Sequence, residues 1–130
     1  MGSTSFFQAA KEDQLVESEI AARVENLEDE LELLHARLGS KNAELKVAIA
    51  REELAQGVVI RNDRLNSRIK GAVSDEDFAK SEGERRQATA ERAVQDAGIR
   101  EIKVLIKQTT RKLGSYKALL KPADPKPAGN

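Results

Sequence analysis

Arg-Ile-Lys-Gly-Ala-Val-Ser-Asp-Glu-Asp-Phe, residues Arg68 to Phe78, decides the fold. It holds a helix-stop signal followed at once by a helix-start signal. Lys70 is a last-turn cation, and Gly71 suits the left-handed C′ position that satisfies the orphan carbonyls of an ending helix. Ser74 reads as an N-cap. Asp77, three residues later, completes a capping box in its weaker Asp form, and Asp75 and Glu76 stand where the helix dipole favours anions. Long charged segments with helical periodicity flank the stretch on both sides. A turn this short forces two long helices antiparallel, so the sequence predicts one all-α, two-helix coiled-coil hairpin.

The composition agrees. Of 130 residues, 39% are hydrophobic, 34% charged and 3% aromatic, too little apolar bulk for a thick core but enough for a coiled-coil seam. With no Cys, disulfides and thiolate metal sites are excluded. The formal net charge of zero gives no global field for nucleic acid or membrane. No apolar run approaches the roughly 18 residues a membrane span needs. Met1 to Lys11 lacks a basic region and a long apolar core, so an intact secretory signal is not expected there. A myristoylation signal would want Ser or Thr where Phe6 stands.

Along the first arm, Ile20, Val24, Leu27, Leu31, Leu34 and Leu38 step by four and three, an a/d heptad seam. Gly39 and Ser40 interrupt the pattern at a cost of about 1 kcal/mol for the glycine, and the helix is expected to run through them. Beyond them the apolar residues Leu45, Ala48 or Ile49, Leu54, Val58, Leu65 and Ile69 follow less cleanly, which predicts a change of register. The second arm counts cleanly in sevens from Phe78. One row is Phe78, Arg85, Arg92, Ile99, Ile106, Leu113 and Leu120; the other is Ser81, Ala88, Gln95, Ile102, Thr109 and Tyr116. Its half nearest the turn is small and polar. Pro122, Pro125 and Pro127 end it. The expected organisation is a frayed N-terminus over about residues 1–14 and a hairpin over about 15–121, followed by a disordered Pro-rich tail over 122–130. Within the hairpin, helix 1 covers about 15–70, the turn 71–73 and helix 2 about 74–121. Phe6 and Phe7 are expected in the frayed part rather than stapled to the bundle.

Folding at the turn sets Ile69 against Phe78, Leu45 against Ile99 or Arg100, Leu38 against Ile106, Leu31 against Leu113 and Val24 against Leu120. Charge supplies an independent test. From Glu12 to Glu32 the first arm is acidic apart from Arg23, and from Arg100 to Lys121 the second is basic apart from Glu101. The fold lays these blocks side by side, with Glu28 and Lys117, both at e positions, as neighbours.

No residue pattern calls for catalysis or a cofactor. His35 is the only histidine, falls between seam positions and has no companion ligand, so it reads as a surface residue. There is no phosphate loop and no nucleophile–histidine pair. Tyr116 reads as seam packing with its hydroxyl at the edge. The basic second arm is cancelled by its acidic partner, which argues against nucleic acid. The end of the first arm is different. Arg61, Arg64, Arg68 and Lys70 climb toward the turn with Leu65 and Ile69 among them, and Ser74 lies just past it. Dipole complement and capping explain Arg68, Lys70 and Ser74. They do not explain the whole basic–aliphatic group, and Arg61, Arg64, Leu65, Arg68 and Ser74 are the candidate partner-binding residues.

Arg64-Leu65, Gly71-Ala72-Val73-Ser74 and Asp75-Glu76-Asp77-Phe78, within Leu45 to Leu113, resemble the α-helical hairpin of HlyD-like periplasmic adaptor proteins, the membrane fusion proteins of efflux pumps and type I secretion systems. The run from Leu27 to Leu38 is also of their type. The resemblance implies a tip that docks on an outer-membrane channel through an Arg, a Leu and a Ser, and a location in the bacterial cell envelope. Arg61 and Leu65 keep the family's Arg-to-Leu spacing. Ser74 then comes later than the pattern, and counted from Arg64 it comes one residue early. The lipoyl half-motifs and β-barrel of complete adaptors are not in this sequence. The expected function is therefore that of a non-enzymatic, adaptor-like hairpin that assembles with itself and with a channel or transporter component. The alternative is a structural, self-associating coiled coil with no transport role.

Overall fold

The computed structural model describes the backbone of residues 2–120 and the side chains of residues 13–120. Two helices, α1 (Gly2–Arg68) and α2 (Asp75–Leu120), pack against each other as an antiparallel coiled-coil hairpin, with no strand among the described residues. α1 is helical from Gly2, so the stretch expected to fray is helical backbone here. Nothing between Ser3 and Gln14 breaks a helix: there is no Pro, and Ala, Gln, Lys and Glu favour one. The Phe6 and Phe7 side chains and the Pro-rich tail lie outside the described residues.

The turn forms as its residues require. Gly71 has φ +82°, a left-handed conformation that costs an L side chain about 1–2 kcal/mol. The Ile69 N–H still donates to the Leu65 carbonyl at 2.9 Å, and the Ala72 N–H to the Ile69 carbonyl at 3.0 Å. Ser74 caps α2: its Oγ accepts from the Asp77 N–H at 3.1 Å, and its carbonyl from the Phe78 N–H at 2.9 Å. The capping box is half-formed, with no return bond from the Asp77 carboxylate to the Ser74 N–H among the described residues. Asp is one methylene shorter than the Glu that usually makes it. A further clasp comes from Asn66, whose Oδ1 accepts the Val73 N–H at 3.0 Å.

The seam of α2 is the one its sequence predicts. Every residue of the two rows, from Phe78 to Leu120, is buried or half-buried. The seam of α1 corrects its prediction. Inward positions run through Ile20, Val24, Leu27, Leu31, Leu34, Leu38, Lys41, Leu45, Ala48, Glu52, Ala55, Val59, Asn62 and Asn66, in unbroken steps of four and three. The register does not change, and the helix passes through Gly39 and Ser40. Lys41, Glu52, Asn62 and Asn66 hold seam positions, while Leu54, Leu65 and Ile69 are exposed. Ile69, expected opposite Phe78, is 66% exposed. Each polar seam residue has a partner that satisfies it, so keeping the period costs less than shifting a whole helix to bury three side chains.

The chain divides into two compact units. In the unit of Met1–His35 and Val104–Asn130, the buried side chains among the described residues are Leu34, Thr109 and Leu113. The expected contact between Glu28 and Lys117 is present, with Lys117 Nζ 3.4 Å from Glu28 Oε1. The Tyr116 hydroxyl reaches the edge of the seam and accepts from Arg23 NH1 at 3.0 Å, with the guanidinium 5.8 Å from the ring centroid. In the unit of Ala36–Lys103, the buried apolar residues are Ala48, Val59, Ala88 and Ile99, joined by buried Glu52 and Ser81. No described side chain is less than 2% exposed, as a two-helix seam open on both flanks dictates.

Candidate functional site: the tip of the hairpin

The last turns of α1 carry the candidate residues on the side away from the seam. With Asn62 and Asn66 pointing inward, Arg61, Arg64, Leu65 and Arg68 fall at the outer heptad positions c, f, g and c, and all four are exposed. Leu65 is 43% exposed and Ile69 66%, so aliphatic surface lies among the guanidinium groups. Among the described residues none of these arginines, nor Lys70, makes an ion pair. Ser74 is exposed too, but it heads α2 on the far side of the turn and its Oγ is engaged by the Asp77 N–H. The structure thus gathers Arg61, Arg64, Leu65 and Arg68 on one face and assigns Ser74 a capping role.

What holds this face is polar. The Asn62 amide donates to Ser81 Oγ at 3.2 Å, and Ser81 Oγ donates to the Phe78 carbonyl at 2.8 Å. One layer closer to the turn, the Asn66–Val73 clasp fixes the approach to Gly71. Deeper in the same unit Arg92 NH1 donates to Glu52 Oε1 at 2.8 Å, with Asp96 3.9 Å from Arg92 Nε. The hydrogen bond to Glu52, then the Glu52 charge, with smaller help from Asp96 and Glu53, hold the Arg92 guanidinium above its ordinary pKa against the effect of desolvation. While the carboxylates that raise it are charged, the Arg92 shift stabilises the fold below the unfolded value. That contribution is lost as pH rises through the folded value, beyond the neutral range.

Periodicity extended through polar residues would have found Glu52, Asn62 and Asn66. Following the apolar residues instead leads to Leu54, Leu65 and Ile69. His35 is exposed, and among the described residues no three His, Cys, Asp or Glu side chains gather as a metal-binding group. No helix among them is long and apolar enough to cross a membrane. In comparisons with known proteins, no family model, no curated protein and no solved structure matches this chain.

Proposed function

We propose that this chain is a non-enzymatic coiled-coil hairpin that acts by protein–protein assembly and presents its tip to a partner, as the similar hairpins of periplasmic adaptor proteins do to a channel. The observation that carries this reading is the exposed face of Arg61, Arg64, Leu65 and Arg68, which has no ion-pair partner among the described residues and sits beside a turn clasped from both sides. Exposed cations ringed around aliphatic surface fit an acidic, partly apolar protein end. In the adaptor reading that partner is an outer-membrane channel or transporter component in the bacterial envelope.

A photo-crosslinking residue at Arg64, with a control at Glu25 far from the turn, tests it. The expected result is one partner captured from Arg64 only, and lost when Arg61 and Arg68 are both changed to Glu with helicity retained. Equal capture from both positions, or capture indifferent to the charge reversal, would overturn the docking role. Apolar side chains left exposed along one flank favour a second reading, a structural coiled coil that only self-associates. Under it the crosslinks from both positions join copies of the chain.

A further inference from the structure

An antiparallel pair of helices has two open flanks, one bounded by e and b positions and the other by g and c. In the Ala36–Lys103 unit the flanks differ. Away from the tip, Val47, Leu54 and Val94 are exposed on the g/c flank, at 51, 73 and 67%; on the e/b flank the comparable residue is Ile60. The g/c flank is also concave. One shallow groove is lined by Val47, Ala48, Arg51, Ala90, Glu91 and Val94, and a second continues past Leu54, Ala55 and Val58.

Charge on this flank is divided by helix. Away from the tip, α1 contributes Arg37 and Arg51; its acid, Glu44, is already held by Lys41 at 3.1 Å. α2 contributes Glu84, Glu91 and Glu101, with Lys80 as the exception near the turn. Arg51 and Glu91 face each other across the groove at 3.9 Å, loosely enough to leave both accessible.

We propose that this g/c flank binds a second copy of the chain, side by side and tip beside tip, about a two-fold axis running along the hairpin. The proposal extends the assembly reading by naming its surface. A parallel two-fold places α1 of one copy against α2 of the other at equal height. Val47 and Leu54 then meet the partner's Val94 and Ala90, and Arg51 meets the partner's Glu91, closing an alternating four-charge cluster. An antiparallel two-fold instead sets α1 against α1, arginines facing arginines, and α2 against α2, glutamates facing glutamates. Like charges at that spacing disfavour it. The charge division therefore selects both occupant and orientation.

Sedimentation of the full chain tests the proposal. A dimer is expected in the micromolar range, and a chain still monomeric at about 100 μM, too weak for a specific interface of this kind, overturns it. Arg51→Glu and Glu91→Lys should each weaken dimerisation by about tenfold or more, and an equimolar mixture should restore it as a heterodimer. Neither variant alone contains an attractive 51–91 pair, so recovery on mixing reports a contact between copies; no recovery overturns the contact. For orientation, Cys labels replace Lys46 and Ser67, about 30 Å apart along α1. Across copies, Ser67 to Ser67 should be shorter than Ser67 to Lys46; the reverse order overturns the parallel arrangement. Arg64→Ala should leave the dimer intact while weakening tip docking, so the two readings fail separately.

Discussion

Arg92 reaches across the seam to Glu52 at 2.8 Å, and the two residues are unequally sheltered: the Glu52 side chain is 9% exposed, that of Arg92 42%. Arg92→Leu strands a carboxylate, whereas Glu52→Leu leaves a guanidinium that can reach water and Asp96. Urea unfolding should therefore rank Arg92→Leu below Glu52→Leu. The double Leu variant should equal or exceed the parent, because an apolar pair avoids desolvating two charges. Equal costs for the two single variants would mean that Arg92 does not keep Glu52 inside.

The unbroken α1 register makes a sharp contrast between two leucines. Leu113, 8% exposed, should cost about 2–3 kcal/mol as Ala, the lower part of the usual range because the thin seam can relax. Leu54, 73% exposed, should cost under about 0.5 kcal/mol as Ala when measured in dilute, monomeric conditions. A large loss at Leu54 under those conditions would restore the displaced register.

Two helical glycines offer stabilisation. A Cβ added at Gly39 or Gly83 meets nothing within 4 Å, so either as Ala should gain about 1 kcal/mol in thermal or urea unfolding. Gly71 also has open space around it, but its φ of +82° penalises a side chain, and Gly71→Ala should lose about 1 kcal/mol. The opposite signs separate steric room from backbone conformation.

Glu28 and Lys117 are about half exposed at 3.4 Å, so their attraction is modest. Glu28→Lys should cost about 0.2–1 kcal/mol, and the exchange with Lys117→Glu should recover it. The difference should disappear near 1 M salt, where the screening length falls to about 3 Å. A deficit that survives high salt would point to packing rather than charge.

The fold was legible because its determinants are local or periodic. Gly71 and Ser74 announce the turn through backbone chemistry, and the α2 seam repeats in sevens whatever residue fills it. The α1 seam beyond Leu38 was harder, since hydrophobicity and period part company there: Glu52, Asn62 and Asn66 face inward while Leu54 faces out. A polar residue can take a seam position only when a partner completes it, and that partner sits on the other helix, 40 residues away for Glu52 and 19 for Asn62. The Asn66 clasp was equally hidden, because nothing in an asparagine says which N–H it will accept. At the tip, the grouping of Arg61, Arg64, Leu65 and Arg68 on one face follows from helix spacing alone. Ser74 did not join them, since its position after Gly71 already commits it to capping.

The Asn66–Val73 clasp also has a consequence in time. It closes a separation of seven residues, against 19 for Asn62–Ser81, 40 for Glu52–Arg92 and 93 for Arg23–Tyr116. Closing a long loop in one step is entropically costlier than closing a short one and extending it. The arms should accordingly zip from the turn outward, each closed layer shortening the search for the next. An Asn66→Ala chain would lose its starting point rather than its grip, refolding more slowly while unfolding at nearly the parent rate.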